Sequence, residues 1–113
     1  YEFRVIPLHI KLFPELYKIK KDSGYVFTNN ANERLSRRRL EENFQRLIKQ
    51  SGINYCKPHD LRHTYASHLV MSNVDLRTVK DLLGHSSITT TMIYSHLSKS
   101  HVKKAVSMLN YGL

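Results

Sequence analysis

From Ser36 onward, each apolar run with helical spacing is fenced by residues that start or stop a helix, which limits this stretch to a string of short helices. Ser36 is a candidate N-cap, and Leu40, Phe44, Leu47 and Ile48 then share one face until Gly52 ends the helix. Pro58 suits the first turn of the next helix, with Leu61, Tyr65 and Leu69 along one side as far as about Ser72. Asn73 tolerates the left-handed conformation that closes a helix, and Asp75 can cap the one after it. That helix carries Leu76, Val79, Leu82 and Leu83, and Gly84 stops it. Ser86 or Ser87 caps a short helix reaching Tyr94, and Ser98 caps a last one, to about Asn110, with Val102, Ala105, Val106 and Leu109 as its stripe.

Before Ser36 the pattern changes. Phe3, Val5 and Leu8, with Arg4 and Ile6 between them, predict a short strand over residues 2–6 that Pro7 stops. Leu12, Leu16, Tyr17 and Ile19 give a broken helical period, restarted or kinked at Pro14. Asp22-Ser23-Gly24 predicts a turn, Tyr25–Thr28 a short strand or extended segment, and residues 29–34 a polar loop. The expected fold class is mainly α with a small N-terminal β element. At 113 residues the chain is expected to form one domain around a modest core.

Lysine and arginine outnumber acids 18 to 9, for a net charge of +9, which favours a polyanionic partner: nucleic acid or an acidic membrane surface. Composition alone also fits a basic protein with no such partner. No apolar run approaches the roughly 20 residues of a membrane-spanning helix. Glu2, Arg4 and Lys11 interrupt any signal-peptide pattern. Cys56 is the only cysteine, which rules out an internal disulfide or a thiolate zinc cluster and suits a reducing cytoplasm.

Two features point to chemistry. In His59-Asp60-Leu61-Arg62-His63, three residues turn a helix through about 300°, so His59 and Arg62 share a face and His63 joins them. A guanidinium fork bonds two phosphate oxygens at once, and an imidazole beside it donates a further bond or moves a proton near neutrality. Alone, His-x-x-Arg is a weak signal, more often a surface pair on a solvated helix. The two-histidine spacing also mimics a zinc-protease helix, but Asp60 replaces the longer glutamate and Arg62 brings positive charge close to any dication. His63 is therefore read as a helix histidine bonded to a nearby backbone or side-chain group.

The second feature is Leu82-Leu83-Gly84-His85, with Tyr94 nine residues beyond His85. Gly84 allows the sharp turn that presents His85 at a corner. Nine residues of straight helix span about 13 Å, so His85 and Tyr94 reach one phosphate only if the chain folds back after Gly84. A phenol ionises near pH 10, so Tyr94 needs cations around a phosphate to attack it. An aromatic ending a short helix is more often core packing, and six other tyrosines set that baseline.

Taken together, Pro58-His59-Asp60-Leu61-Arg62-His63-Thr64, Leu82-Leu83-Gly84-His85 and Thr90-Thr91-Met92-Ile93-Tyr94-Ser95-His96 resemble the tyrosine recombinases of the phage integrase family, closest to the Xer-like branch. Arg4-Val5-Ile6-Pro7-Leu8 resembles the strand leaving that family's β-hairpin. The resemblance implies that residues 1–113 are the C-terminal part of a recombinase catalytic domain. In that role Tyr94 would be the nucleophile of a 3′-phosphotyrosine link, Arg62 the phosphate clamp, and His59 and His85 donors to the phosphate oxygens. It further implies DNA as partner, tetramers on DNA for the parent protein, and no cofactor, metal, small-molecule substrate or membrane.

The family's first arginine and its hairpin lysine have no counterpart in these residues. The chain thus reads as a fragment, without the family's N-terminal DNA-binding domain, whose isolated form is expected to be inactive. Arg34, Arg37, Arg38 and Arg39 are candidate DNA contacts, with a solvated face balanced by Glu33, Glu41 and Glu42 as the plain alternative. Rival functions are a binding or assembly module with a degenerate site, and relaxation of the type IB topoisomerase kind. The final helix packs on its own domain or, as in related recombinases, on a neighbouring protomer.

Overall fold

A computed structural model describes residues 4–98, 101–110 and 112. The chain divides into two compact units, Tyr1–Pro58 and His59–Leu113.

In the first unit, His9 accepts at its ring Nδ1 from the Lys11 N–H and opens a 3-10 turn, Ile10–Leu12. This turn runs into helix α1, Phe13–Lys18, with Pro14 in the first helical turn, where its missing N–H leaves nothing unsatisfied. Helix α2, Arg37–Gln50, starts where the Ser36 hydroxyl accepts from the Arg39 N–H, and Gly52 follows its end at φ +70°. Ile48 is buried and Phe44 half-buried, whereas Leu40 and Leu47 stay about half exposed. Leu8, Phe13, Leu16, Tyr17, Val26 and Phe27 line an open apolar cavity of about 380 Å³.

The expected β element is not found among the described residues. Residues 4–6 carry no strand, and residues 2 and 3 of the expected span lie outside the described set. An extended segment becomes a strand only when a ladder of hydrogen bonds forms beside it. Among the described residues the β contact is an isolated antiparallel bridge between Thr28 and Arg34. The loop between them is closed by Asn29, whose side-chain oxygen accepts from the N–H groups of Ala31 and Glu33.

Every element described in the second unit is a helix. Helix α3, Pro58–Met71, ends where Asn73 takes φ +69°. Asp75 caps helix α4, Leu76–Leu83, by accepting from the Thr78 N–H at 2.9 Å. After Gly84 comes helix α5, Ile88–Thr91, capped by Ser87, and then a 3-10 helix, Met92–Ser98. Helix α6 covers His101–Ser107, ending short of the expected Asn110. The Ser98 hydroxyl donates to the Ser95 carbonyl and closes the 3-10 segment, and the two residues between it and α6 lie outside the described set. On α6 and beyond, Val106 and Leu109 of the expected stripe are exposed.

Ala66, Val70, Val79, Leu83 and Tyr94 form the core of this unit, with Leu69, Val74, Leu76 and Leu97 packed around it. On α3 this differs from the face expected from Leu61, Tyr65 and Leu69, because Leu61 and Tyr65 are exposed. The helix has apolar residues on both sides, so periodicity alone left the choice of face open. The buried side is the one that continues upward through His63 and Arg62.

Candidate active site

The site is assembled inside the second unit from three segments: α3, the corner after α4, and the 3-10 helix after α5. Adjacent residues on a helix point about 100° apart. Arg62 and His63 therefore reach different neighbours. Arg62 Nη2 donates to the carbonyl of Leu83 at the end of α4. His63 Nδ1 shares a hydrogen bond with the Tyr94 hydroxyl. One turn earlier, the His59 ring meets the His63 ring edge-on, with centroids 4.8 Å apart.

Gly84 makes the corner. It sits at φ +70°, and its N–H and that of His85 close on the carbonyls of Asp81 and Lys80, both at 3.1 Å. This is the left-handed helix stop that glycine adopts without a Cβ clash. It turns His85 back over α5, where its Nδ1 meets the hydroxyl of fully buried Thr91 at 2.8 Å. The corner thus brings His85 back to Thr91, three residues before Tyr94.

Tyr94 is only 6% exposed and serves as a core residue as well as a partner of His63. Burial pushes its phenol above the usual 10.0, while the positive charge of nearby Arg62 pulls the other way. The phenol therefore stays protonated at neutral pH. Among the described residues no cluster of three His, Cys, Asp or Glu side chains forms that could hold a metal ion.

His59 and Tyr94 thus meet at His63, the charge of Arg62 bears on Tyr94, and His85 lies at the head of the segment that carries Tyr94. Sequence reasoning gave His63 no role beyond a structural bond, yet its bond is to the phenol itself. Its place one turn after His59 was the available signal. Thr91 was marked only as one of the threonines in the run that leads to Tyr94.

The candidate DNA-contacting arginines belong to the first unit. Arg37 Nε pairs with Glu41 at 2.9 Å and Arg38 Nε with Glu42 at 2.8 Å, and both arginines are about nine-tenths exposed. Arg39 approaches Glu42 at 3.8 Å and, with Asn43 and Arg46, lines an open polar cleft of about 510 Å³. Arg34 forms the bridge to Thr28. Glu33 accepts from the Asn29 side-chain amide at 3.1 Å.

The profile of the phage integrase family matches residues 6–101. This chain belongs to the phage integrase family. It is 35% identical over 91 residues to the tyrosine recombinase XerC of Oceanobacillus iheyensis, covering 80% of this chain and 30% of that protein. Against the tyrosine recombinase XerD of Listeria monocytogenes the identity is 40% over 91 residues, covering 80% of this chain and 31% of the relative. A crystal structure of XerA recombinase superposes with a TM-score of 0.60 at 30% identity, over 89% of this chain and 38% of that one. The chain thus spans about 30% of the length of such a family member, and the mainly helical fold is that of the recombinase structure.

Proposed function

We propose that residues 1–113 contribute the nucleophile-bearing part of a site-specific tyrosine recombinase, acting as part of the catalytic domain of a longer polypeptide. The parent enzyme breaks and rejoins DNA through a 3′-phosphotyrosine link. Tyr94 attacks the scissile phosphate, and the displaced 5′-oxygen leaves as a hydroxyl. Arg62 seats two phosphate oxygens on its guanidinium fork, and His59 and His85 donate to the oxygens as charge builds up. The covalent link keeps the phosphodiester energy, so rejoining needs no cofactor. Double-stranded DNA is the partner, a homotetramer on two duplexes the working assembly, and the cytoplasm the location.

The observation that carries this reading is the meeting of phenol, guanidinium and imidazole in one unit. Tyr94 feels the charge of Arg62 and hydrogen-bonds His63, although about thirty residues separate them in sequence. A tyrosine that only packs has no need of an imidazole bonded to its oxygen. Family membership supports the same reading, as does the charge of +9. On the first unit, Arg34, Arg37, Arg38 and Arg39 serve as backbone-phosphate contacts, supported by the exposure of Arg37 and Arg38.

The test is covalent trapping. A nicked duplex that releases a short 5′-hydroxyl strand after attack is incubated with the parent recombinase, and protein-linked DNA is counted on a denaturing gel. A link is expected with wild type, none with Tyr94→Phe, and a loss of about 10²–10³-fold in rate with Arg62→Lys, since one fork of charged donors is removed. Undiminished linkage by Tyr94→Phe would overturn the assignment.

A further inference from the structure

We propose that His63 is a catalytic residue of this site: its Nδ1 takes the phenolic proton of Tyr94 as the tyrosine oxygen attacks phosphorus. The inference rests on the recombinase reading above and adds to it the group that activates the nucleophile.

The argument starts from the hydrogen bond. Of the three histidines near the site, His63 is the one whose ring nitrogen is bonded to the Tyr94 hydroxyl. His85 Nδ1 is engaged with the Thr91 hydroxyl at 2.8 Å, and His59 meets His63 by its ring edge. A neutral phenol is a poor nucleophile, and burial of Tyr94 deepens the problem by favouring its protonated form. A base in hydrogen-bond contact with the reacting oxygen removes that obstacle, and imidazole is the side chain whose proton affinity suits neutral pH. The proposed transfer requires the tautomer with hydrogen on Nε2 and a lone pair on Nδ1, in which the phenol donates.

His63 is also well placed by its neighbours. It follows Arg62 directly on α3, so the residue that seats the phosphate and the residue that receives the proton move together as one rigid helix. From α3, the His59 ring meets His63 and the charge of Arg62 bears on Tyr94. Arg62 lowers the cost of phenolate beside it, and its fixed charge favours release of a proton from Tyr94.

In the step itself, the Tyr94 O–H bond breaks and the proton passes to His63 Nδ1, giving imidazolium. The freed electron pair forms the O–P bond. The P–O5′ bond breaks with its electron pair on the 5′-oxygen, which takes a proton from water, and His63 later returns its own proton to water. The net change is phenol plus phosphodiester going to tyrosyl phosphodiester plus 5′-hydroxyl.

The test uses the parent recombinase on the nicked duplex, with His63→Ala and His63→Asn. Asparagine offers an acceptor oxygen close to the position of Nδ1 but does not take up a proton. Both variants are expected to form the covalent link about 10²–10⁴-fold more slowly, at unchanged DNA affinity, and free imidazole is expected to speed the alanine variant. A wild-type rate in His63→Asn would reduce His63 to an anchor for the ring and overturn the proposal, as would a wild-type rate in both. Nitrogen-15 NMR of the wild-type protein supplies a check that no folding defect can blur. Nδ1 without hydrogen at neutral pH supports the proposal, and an Nδ1–H tautomer overturns it. If wild type forms no covalent link at all, the recombinase reading fails, and this proposal with it.

Discussion

Replacing Tyr94 separates two jobs that one side chain performs. Tyr94→Phe removes only the hydroxyl. The ring still fills the space beside Ala66, Val70, Val79 and Leu83, and the loss is one hydrogen bond to His63. Such a bond is worth about 0.5–1.5 kcal/mol net, toward the lower end here because His63 is half-buried and water can replace the partner. Tyr94→Ala also empties a ring-sized space in a core of five buried residues, and removing an aromatic side chain from a core costs about 3–5 kcal/mol. The two variants should therefore differ by roughly 2–4 kcal/mol, nearly all of it ring packing. Urea unfolding of the 113-residue chain followed by far-ultraviolet circular dichroism measures both. A spectrophotometric titration supplies a second readout: the Tyr94 phenol should ionise above 10.0 in wild type, and that component should be missing in Tyr94→Phe. An alanine variant within about 1 kcal/mol of wild type, well below the cost of a ring-sized core cavity, would refute the claim that Tyr94 belongs to the core.

Three further outcomes follow from the same geometry. Gly84→Ala puts a Cβ on a residue at φ +70° and should lower stability by about 1–2 kcal/mol, visible as a lower urea midpoint, while slowing DNA cleavage by the parent protein through a displaced His85. The Thr78 hydroxyl and N–H hold the Asp75 carboxyl below its ordinary 3.8, so the stability it contributes is complete above that value and is lost as pH falls through the lower folded value; a urea midpoint measured against pH should show this acid loss in wild type and not in Asp75→Asn. Arg37→Ala combined with Arg38→Ala should leave folding nearly unchanged, because exposed ion pairs contribute little, yet flatten the log–log salt dependence of DNA affinity by about 2 if each arginine meets one phosphate.

Helix ends were the most legible part of the sequence. Ser36, Asp75, Ser87, Asn73 and Gly84 each act as the cap or stop that their side chains or φ angles favour, because these effects are local. Faces were less legible. On α3 both sides are apolar, and burial of Ala66 and Val70 in place of Leu61 and Tyr65 is decided by what α4 and the 3-10 helix present. The strand expected near Arg4 depended on a partner ladder, which no local pattern encodes. The same division holds for the site. His59, Arg62, His85 and Tyr94 were singled out by spacing, but the bond from His63 to Tyr94 joins residues far apart in sequence, and only the folded chain brings it about. Thr91 was hidden for the same reason, since its value lies in reaching back across the corner to His85.

The packing of the Tyr94 ring bears on how decayed copies of such a gene are read. A copy freed from any demand for strand exchange is still held to an aromatic at this place, since losing the ring unsettles the helices around it. Survival of a tyrosine there is thus poor testimony to a working enzyme. Drift to phenylalanine, which keeps the ring and discards the oxygen, is the change that marks a lineage whose chemistry has lapsed.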